Sequence, residues 1–359
     1  MCPAGRLQWL GSHNVTIDRR AFLAGAGAAF SGALATAQKP AVKLGVNLLS
    51  IAANNWTPFQ YLDYVAKLNL QYVQFNNGTL GRNADEAALQ KVRAYAGKLG
   101  IGIDMYAHGS ICPTSSGFNR KQGTLEEQLA RSMNNARILG ATAMKVVIGG
   151  PKERANIEQH MESTLRFLKT MRTRILDSGV RFALENHGDL QAREAKMLVD
   201  EAGRDVLGIL LDSANPLFVL EDPHLTLELL APYAVISHLR DTALWRVPEG
   251  VAARWVNMGD GNVDMAGWIR KFVQMRPDVT LSFENIVSPE PNILPVFEAE
   301  IWKSYRKMPA WEFSRYLAYA ERGKPLPAIP PAPGKSRGQQ QIEDFEASVR
   351  YVRKVLQNV

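Results

Sequence analysis

Phe182-Ala-Leu-Glu-Asn-His-Gly-Asp189 decides how the rest of the chain is read. Val180 to Leu184 is an apolar strand pattern, and it stops abruptly at Glu185, Asn186, His187 and a glycine. A carboxylate at the end of a buried strand, followed by a turn, is where α/β proteins place chemistry. The pattern recurs downstream. Leu207-Gly-Ile-Leu-Leu ends in Asp212, Ala234-Val-Ile-Ser ends in His238, and Val279-Thr-Leu-Ser-Phe ends in Glu284. Successive strand ends thus present Glu, Asp, His and Glu. This oxygen-rich set with one imidazole suits a hard or borderline divalent ion.

Working outward, apolar strand patterns alternate with amphipathic helical ones. Strands are expected at Lys43–Leu49, Leu70–Phe75, Ile101–Tyr106 and Thr142–Ile148, before the four above. Thr57-Pro58 carries the signature of a helix start, and Thr124-Leu-Glu-Glu127 reads as a capping box. Further helices are expected over 85–98, 156–178, 192–202, 223–230 and 264–275. Strands separated by helices pair in parallel, and eight such units with chemistry at several strand ends predict a (β/α)8 TIM barrel. No G-x-G-x-x-G fingerprint follows the first strand, which argues against a doubly wound sheet. Beyond Glu284 the repeat breaks. Residues 288–340 read as an insertion between strand 8 and the last helix. It holds an aromatic helical stretch, 302–322, and a Pro-rich connector, 323–338. Gln341 to Leu356 is the final amphipathic helix and the eighth of the barrel. Residues 42–359 are therefore one barrel domain.

The first 37 residues are read as a signal rather than fold. Asp18-Arg-Arg-Ala-Phe-Leu23 is a twin-arginine pattern before a weakly apolar, Ala/Gly-rich run, and Ala35-Thr-Ala37 offers a cleavage site. A periplasmic or secreted location is expected. The run is too short and glycine-rich for a stable membrane span. Of two cysteines, Cys2 falls in this segment, so Cys112 stands alone and no disulfide scaffold is possible. The net charge of +7 is scattered over 359 residues without a basic block, so nucleic acid is not an expected partner.

Glu185 in Leu-Glu-Asn-His-Gly, Asp212 in Leu-Leu-Asp-Ser-Ala-Asn, His238 in Ser-His-Leu-Arg-Asp and Glu284 in Phe-Glu-Asn resemble the ligand quartet of the xylose isomerase-like barrels. This is the sugar phosphate isomerase/epimerase superfamily. Met258-Gly-Asp-Gly261 also resembles that family's Gly-x-Gly loop. The resemblance spans residues 42 to 287 and the last helix. It implies one divalent metal ion, Mn²⁺ in the first place with Mg²⁺, Co²⁺ or Zn²⁺ as alternatives, held by Glu185, Asp212, His238 and Glu284. It implies a small-molecule sugar or sugar derivative as substrate. Glu185 and Glu284 are implied as catalytic acid/bases that move a proton next to a carbonyl through an enediolate.

Six further residues are candidates for substrate contact. His187 shares the face of Glu185 by alternation. Lys145 lies inside strand four, His108 ends strand three, and Arg240 follows His238, where it or Asp241 could equally form a simple ion pair. Arg254 stands near the substrate-binding Arg of the epimerases, one residue out of register. Asn215 stands where ketose epimerases have a His, and Gln191 where they have a Glu. These departures keep a second reaction open beside isomerisation or epimerisation of an unphosphorylated keto-sugar. It is a lyase or dehydratase acting on a keto-sugar, inosose or 3-keto-glycoside. Six histidines are too few for a trinuclear zinc nuclease of the endonuclease IV kind. A carbohydrate-binding protein without activity would not need the full quartet. The aromatics of 302–322 serve core packing, sugar stacking or a subunit contact, so oligomerisation is left open.

Overall fold

The computed structural model describes residues 42–81, 84–329 and 333–358. The expected export signal, with Cys2, lies outside the described residues. The chain runs β1 (Leu44–Asn47), α1 (Pro58–Lys67), β2 (Tyr72–Asn76), a single turn α2 (Asn77–Leu80), α3 (Glu86–Lys98), β3 (Gly102–Ser110), α4 (Leu125–Leu139) and β4 (Ala143–Val147). It continues through α5 (Ile157–Ser178), β5 (Arg181–Glu185), α6 (Ala192–Ala202), β6 (Leu207–Asp212), α7 (Pro223–Leu230) and β7 (Ala234–His238). A hairpin follows, β8 (Asp241–Val247) and β9 (Gly250–Val256), then α8 (Met265–Met275), β10 (Leu281–Phe283), β11 (Asn292–Leu294), α9 (Ala310–Arg322) and α10 (Arg337–Leu356).

Eight parallel strands pair in the order β10-β1-β2-β3-β4-β5-β6-β7. Leu239, just past β7, closes the ring against β10: its N–H donates to the Ser282 carbonyl (2.7 Å) and its carbonyl accepts from Glu284 N–H (3.2 Å). The fold is the expected (β/α)8 barrel. Its helix starts follow local chemistry. Thr57 and Thr124 both form complete capping boxes, and Pro58 occupies the first turn of α1.

Alternation along the strands divides two environments. Val46, Val73, Phe75, Ile103, Met105, Met144, Val146, Phe182, Leu184, Ile209, Leu211 and Phe283 face the helices in the main core. Ala143, Ala183, Leu210 and Ile236 form a separate small cluster inside the barrel. Space there is tight: a Cβ on Gly45 would stand 2.7 Å from Ser282 Oγ and 2.8 Å from Tyr72 Cβ. Two residues further along each strand the inward positions turn polar. They are Asn47, Gln74, Asp104, Lys145, Glu185, Asp212, His238 and Glu284, all buried. Each barrel strand delivers one of them to the same end.

The structure departs from expectation in five places. The segment after β7 is not a plain loop. β8 and β9 pair antiparallel from Asp241↔Val256 to Val247↔Gly250, and β11 adds a third strand to β9. Strand three runs on to Ser110, and β10 stops at Phe283, so Glu284 sits just past it. The stretch 302–322 is two pieces, a 3-10 turn at Ile301–Ser304 and α9, because Pro309 starts a new helix. The last helix begins earlier than expected, at a capping box on Ser336. α10 lies against α1 through Phe345 and Tyr64, whose hydroxyl donates to Glu346 (3.2 Å), so it fills the eighth helical position.

Candidate metal centre

Glu185, Asp212 and His238 are the last residues of β5, β6 and β7, and Glu284 follows β10. Parallel register brings them together: one ligand atom from each lies within 4.8 Å of all the others. His238 Nδ1 is central, 3.2 Å from Glu185 Oε1, 3.5 Å from Glu284 Oε2 and 3.9 Å from Asp212 Oδ2.

The other ring nitrogen is held from behind. His238 Nε2–H donates to Gln74 Oε1 at 3.0 Å, and the same oxygen accepts from Asn47 Nδ2 at 2.5 Å. With Nε2 held as a donor, the neutral ring carries its lone pair on Nδ1, the atom that would bind a metal ion; without one, the carboxylates facing Nδ1 favour the protonated ring. Asn47 Nδ2 also reaches Glu284 Oε1 (3.1 Å). Asn186 clamps the backbone of Asp212 in both directions, and Asp212 Oδ1 accepts from Ala214 and Asn215 N–H at 2.8 Å each. Its Oδ2 is left to face the cluster. The donor set is three carboxylates and one imidazole with a fixed tautomer, which fits a divalent ion.

Two cations share the site. Lys145 Nζ lies 2.8 Å from Glu185 Oε2 and 3.3 Å from Glu284 Oε1, over the Tyr106 ring. Arg240 Nη1 lies 3.0 Å from Glu284 Oε2 and 3.5 Å from Asp212 Oδ2, and its guanidinium stacks on Trp255 at 3.9 Å. Burial pushes Glu185 and Glu284 toward the neutral acid, but Lys145, with His238 and for Glu284 also Arg240, outweighs it and holds both well below the usual carboxylate range. Asp212 is different: burial raises it despite Arg240. Burial would neutralise His238, but Glu284 and Glu185 more than offset that.

Among the substrate candidates, Lys145, Arg240 and Asn215 lie in the centre. Asn215 Nδ2 is 3.5 Å from Glu185 Oε1, and its Oδ1 is 3.5 Å from Arg240 Nη1. His187 is half-buried and turns Nδ1 to the Gly149 carbonyl (3.1 Å) and Asp189 Oδ1 (3.5 Å). Arg254 is not brought to the quartet. It sits in β9, and its Nη1 donates to the Pro327 carbonyl (2.6 Å), tying the Pro-rich connector to the hairpin. Asp241 forms no ion pair among the described residues. Its carboxylate accepts from the N–H of Thr242, Gly259 and Gly261, shaping the Gly-x-Gly loop. Gln191 caps α6 and bonds Arg154 and the Val219 carbonyl. His108 lies in β3, but its side chain is outside the described residues.

Sequence reasoning missed Asn47, Gln74, Asp104 and Trp255. The signal for the first three was there: an amide or acid interrupting an apolar strand at an inward register.

The fold is a barrel whose strand ends gather a buried Glu-Asp-His-Glu cluster that could hold a metal ion. A model of the xylose isomerase-like TIM barrel family matches residues 62–300, and the chain belongs to that family. The uncharacterised protein YihM of Escherichia coli K12 is 22% identical over 313 residues, covering 84% of this chain and 86% of that protein. The 3-oxo-isoapionate decarboxylase of Pectobacterium atrosepticum is 25% identical over 160 residues, 45% of this chain and 52% of the relative. The structure of D-psicose 3-epimerase with D-tagatose, from Clostridium cellulolyticum H10, superposes with a TM-score of 0.56 at 14% identity, covering 88% of this chain and 99% of that one. This likeness shows the fold. Among the described residues, no helix is long and apolar enough to cross a membrane.

Proposed function

We propose that this chain is a divalent-metal-dependent isomerase or epimerase that acts on an unphosphorylated keto-sugar through an enediolate. The supporting observation is the pair Glu185 and Glu284, both kept ionised in a buried site and both within 3.5 Å of His238 Nδ1. A divalent ion bound by Glu185, Asp212, His238 and Glu284, Mn²⁺ in the first place, would polarise a substrate carbonyl and stabilise adjacent negative charge. The protein's own residues do the rest. One glutamate takes the proton from the carbon beside the carbonyl; in isomerisation it returns that proton to the neighbouring carbon, and in epimerisation the other glutamate, after taking a proton from water, delivers it from the opposite face while the first releases its own to solvent. Lys145, bridging both, keeps each acid in the form that accepts a proton. Asn47 and Gln74 hold the imidazole still. The twin-arginine pattern at Arg19-Arg20 is the support for placing this activity outside the cytoplasm, where phosphorylated sugars are scarce.

A second reading is a lyase that shares the proton abstraction and then expels a leaving group. It is favoured by Gln191, an amide where ketose epimerases have an acid, whose side chain is taken up by Arg154 and the Val219 carbonyl. A relative named as a decarboxylase also leans this way. Mass spectrometry in D₂O separates the two, using Mn²⁺-loaded protein with ketoses, inososes and 3-keto-glucosides. Deuterium gained in a product isomeric with the substrate supports the isomerase. Loss of water, carbon dioxide or an aglycone supports the lyase. Exchange that persists in Glu284→Gln removes the assignment of that residue.

A further inference from the structure

Arg240 spends only one corner of its guanidinium on the protein. Both of its side-chain hydrogen bonds, to Asp212 and Asn215, leave from Nη1, and its closest approach to Glu284 is from the same atom. Nε is buried with no partner, and Nη2 donates to nothing among the described residues. Nε–H and Nη2–H form the side-on edge of the fork, the edge that takes the two oxygens of a carboxylate in parallel. The group is 4% exposed and its plane is fixed by Trp255, which itself packs on Phe218 at 5.1 Å. A buried Nε–H without an acceptor is costly, so an edge left open beside it points to a missing acceptor.

Charge leads to the same conclusion. Three carboxylates, Glu185, Asp212 and Glu284, face Lys145 and Arg240 at contact distance. A bound divalent ion adds two positive charges and leaves the contacting groups with an excess of one. Asp104, the remaining acid of the inward ring, touches neither cation. The guanidinium keeps its charge at any pH the fold survives.

We propose that the substrate of this site carries a carboxylate, gripped side-on by the Nε/Nη2 edge of Arg240, so that the substrate class is a keto-sugar acid rather than a neutral keto-sugar. This rests on the metal-site reading above and narrows its substrate.

The test is binding to the Mn²⁺-loaded protein by calorimetry, independent of turnover. D-gluconate is compared with D-glucitol, which lacks only the carboxylate, and with D-glucitol 6-phosphate. The wild type is expected to bind the aldonate at least ~10-fold tighter than either. Arg240→Lys keeps the charge but loses the fork, and should bring aldonate and alditol to within about twofold with one Mn²⁺ still bound per chain. Equal affinities in the wild type overturn the inference, as does a preference for the phosphate. A preference that survives Arg240→Lys also overturns it, because the metal alone would then be holding the acid. Deuterium exchange with a neutral ketose, alongside equal affinities, removes this inference and leaves the isomerase reading standing. Failure to bind Mn²⁺ removes both.

Discussion

Gln74 Oε1 lies 3.0 Å from His238 Nε2 and also receives Asn47 Nδ2, so a side chain from β2 sets the tautomer of an imidazole from β7 across the barrel. The relationship makes Gln74 a positioning residue for the metal ligand. Gln74→Met removes the acceptor while keeping the volume, and leaves two buried donors, on His238 and Asn47, without it. Metal affinity should fall roughly 10- to 100-fold, the usual effect of removing such a partner. Competition titration with a chromophoric chelator measures it. An unchanged affinity would mean that the carboxylates orient the ring by themselves.

The same site explains how the protein should behave without metal. Lys145, Arg240 and His238 already offset Glu185, Asp212 and Glu284 in a fully buried cluster. Chelation should therefore abolish exchange without unfolding the chain. A metal present at 100 times its Kd contributes about 2.7 kcal/mol, so melting should drop by less than ~10 °C and stay cooperative. Lys145→Met should reverse the balance. It removes a cation from between two buried carboxylates, which costs the metal-free protein about 3–5 kcal/mol, and metal should restore much of it. Calorimetric melts of both proteins with and without EDTA decide the matter. Equal losses in the two states would show that Lys145 does not compensate the empty centre.

The four ligand positions were legible because an apolar strand that ends in an acid or imidazole is unusual, and Glu185, Asp212, His238 and Glu284 repeat that ending at barrel spacing. The polar ring around them was legible only in part. Lys145 stood out as a charge inside a strand, whereas Asn47 and Gln74, though they also interrupt apolar strands, carry no charge to mark them before the register places them inward. The hairpin Asp241–Val256 gave no sign of itself. β8 is buried on both faces along Asp241–Trp245 and β9 over most of its length, so the alternation that marks a one-sided sheet is missing. Arg254 lies in that hairpin, where its Nη1 donates to the Pro327 carbonyl of the connector and not to the quartet. Pro309, which divides the aromatic stretch, lies between two segments that each look helical.

The late helix reaches the Glu284 end of the barrel through one aromatic pair. Phe345 of α10 is fully buried and meets Phe283 edge to face, with ring centroids 5.5 Å apart. Phe283 immediately precedes Glu284. Phe345→Ala should cost about 3–5 kcal/mol in denaturant unfolding. Deuterium exchange should fall in parallel, because the cavity opens behind the strand that presents Glu284. Exchange at the wild-type rate in a protein destabilised by that amount would show that Glu284 is held by Asn47, Lys145 and Arg240 alone.

Glu221 gives the protein a pH dependence unconnected with the metal centre. Its carboxyl sits at the start of α6, where Ala192 N–H donates to both oxygens at 3.1 and 2.9 Å. Burial is the larger effect and pushes it from 4.5 up to about 8, with Glu194 and Glu312 adding to the rise and Ala192 and Arg154 opposing it. The folded chain therefore holds a proton that the unfolded chain gives up near pH 4.5. Where the native state binds the extra proton, stability falls as pH rises. The decline should begin above about pH 5 and level off above pH 8, with an upper bound on the order of 5 kcal/mol. Glu221→Gln keeps an acceptor for Ala192 N–H and carries no charge at any pH. It should be more stable than the wild type at pH 9 and nearly equal to it at pH 5. Parallel urea unfolding curves at the two pH values measure the difference, and a variant with the same pH slope as the wild type would assign the slope to another group.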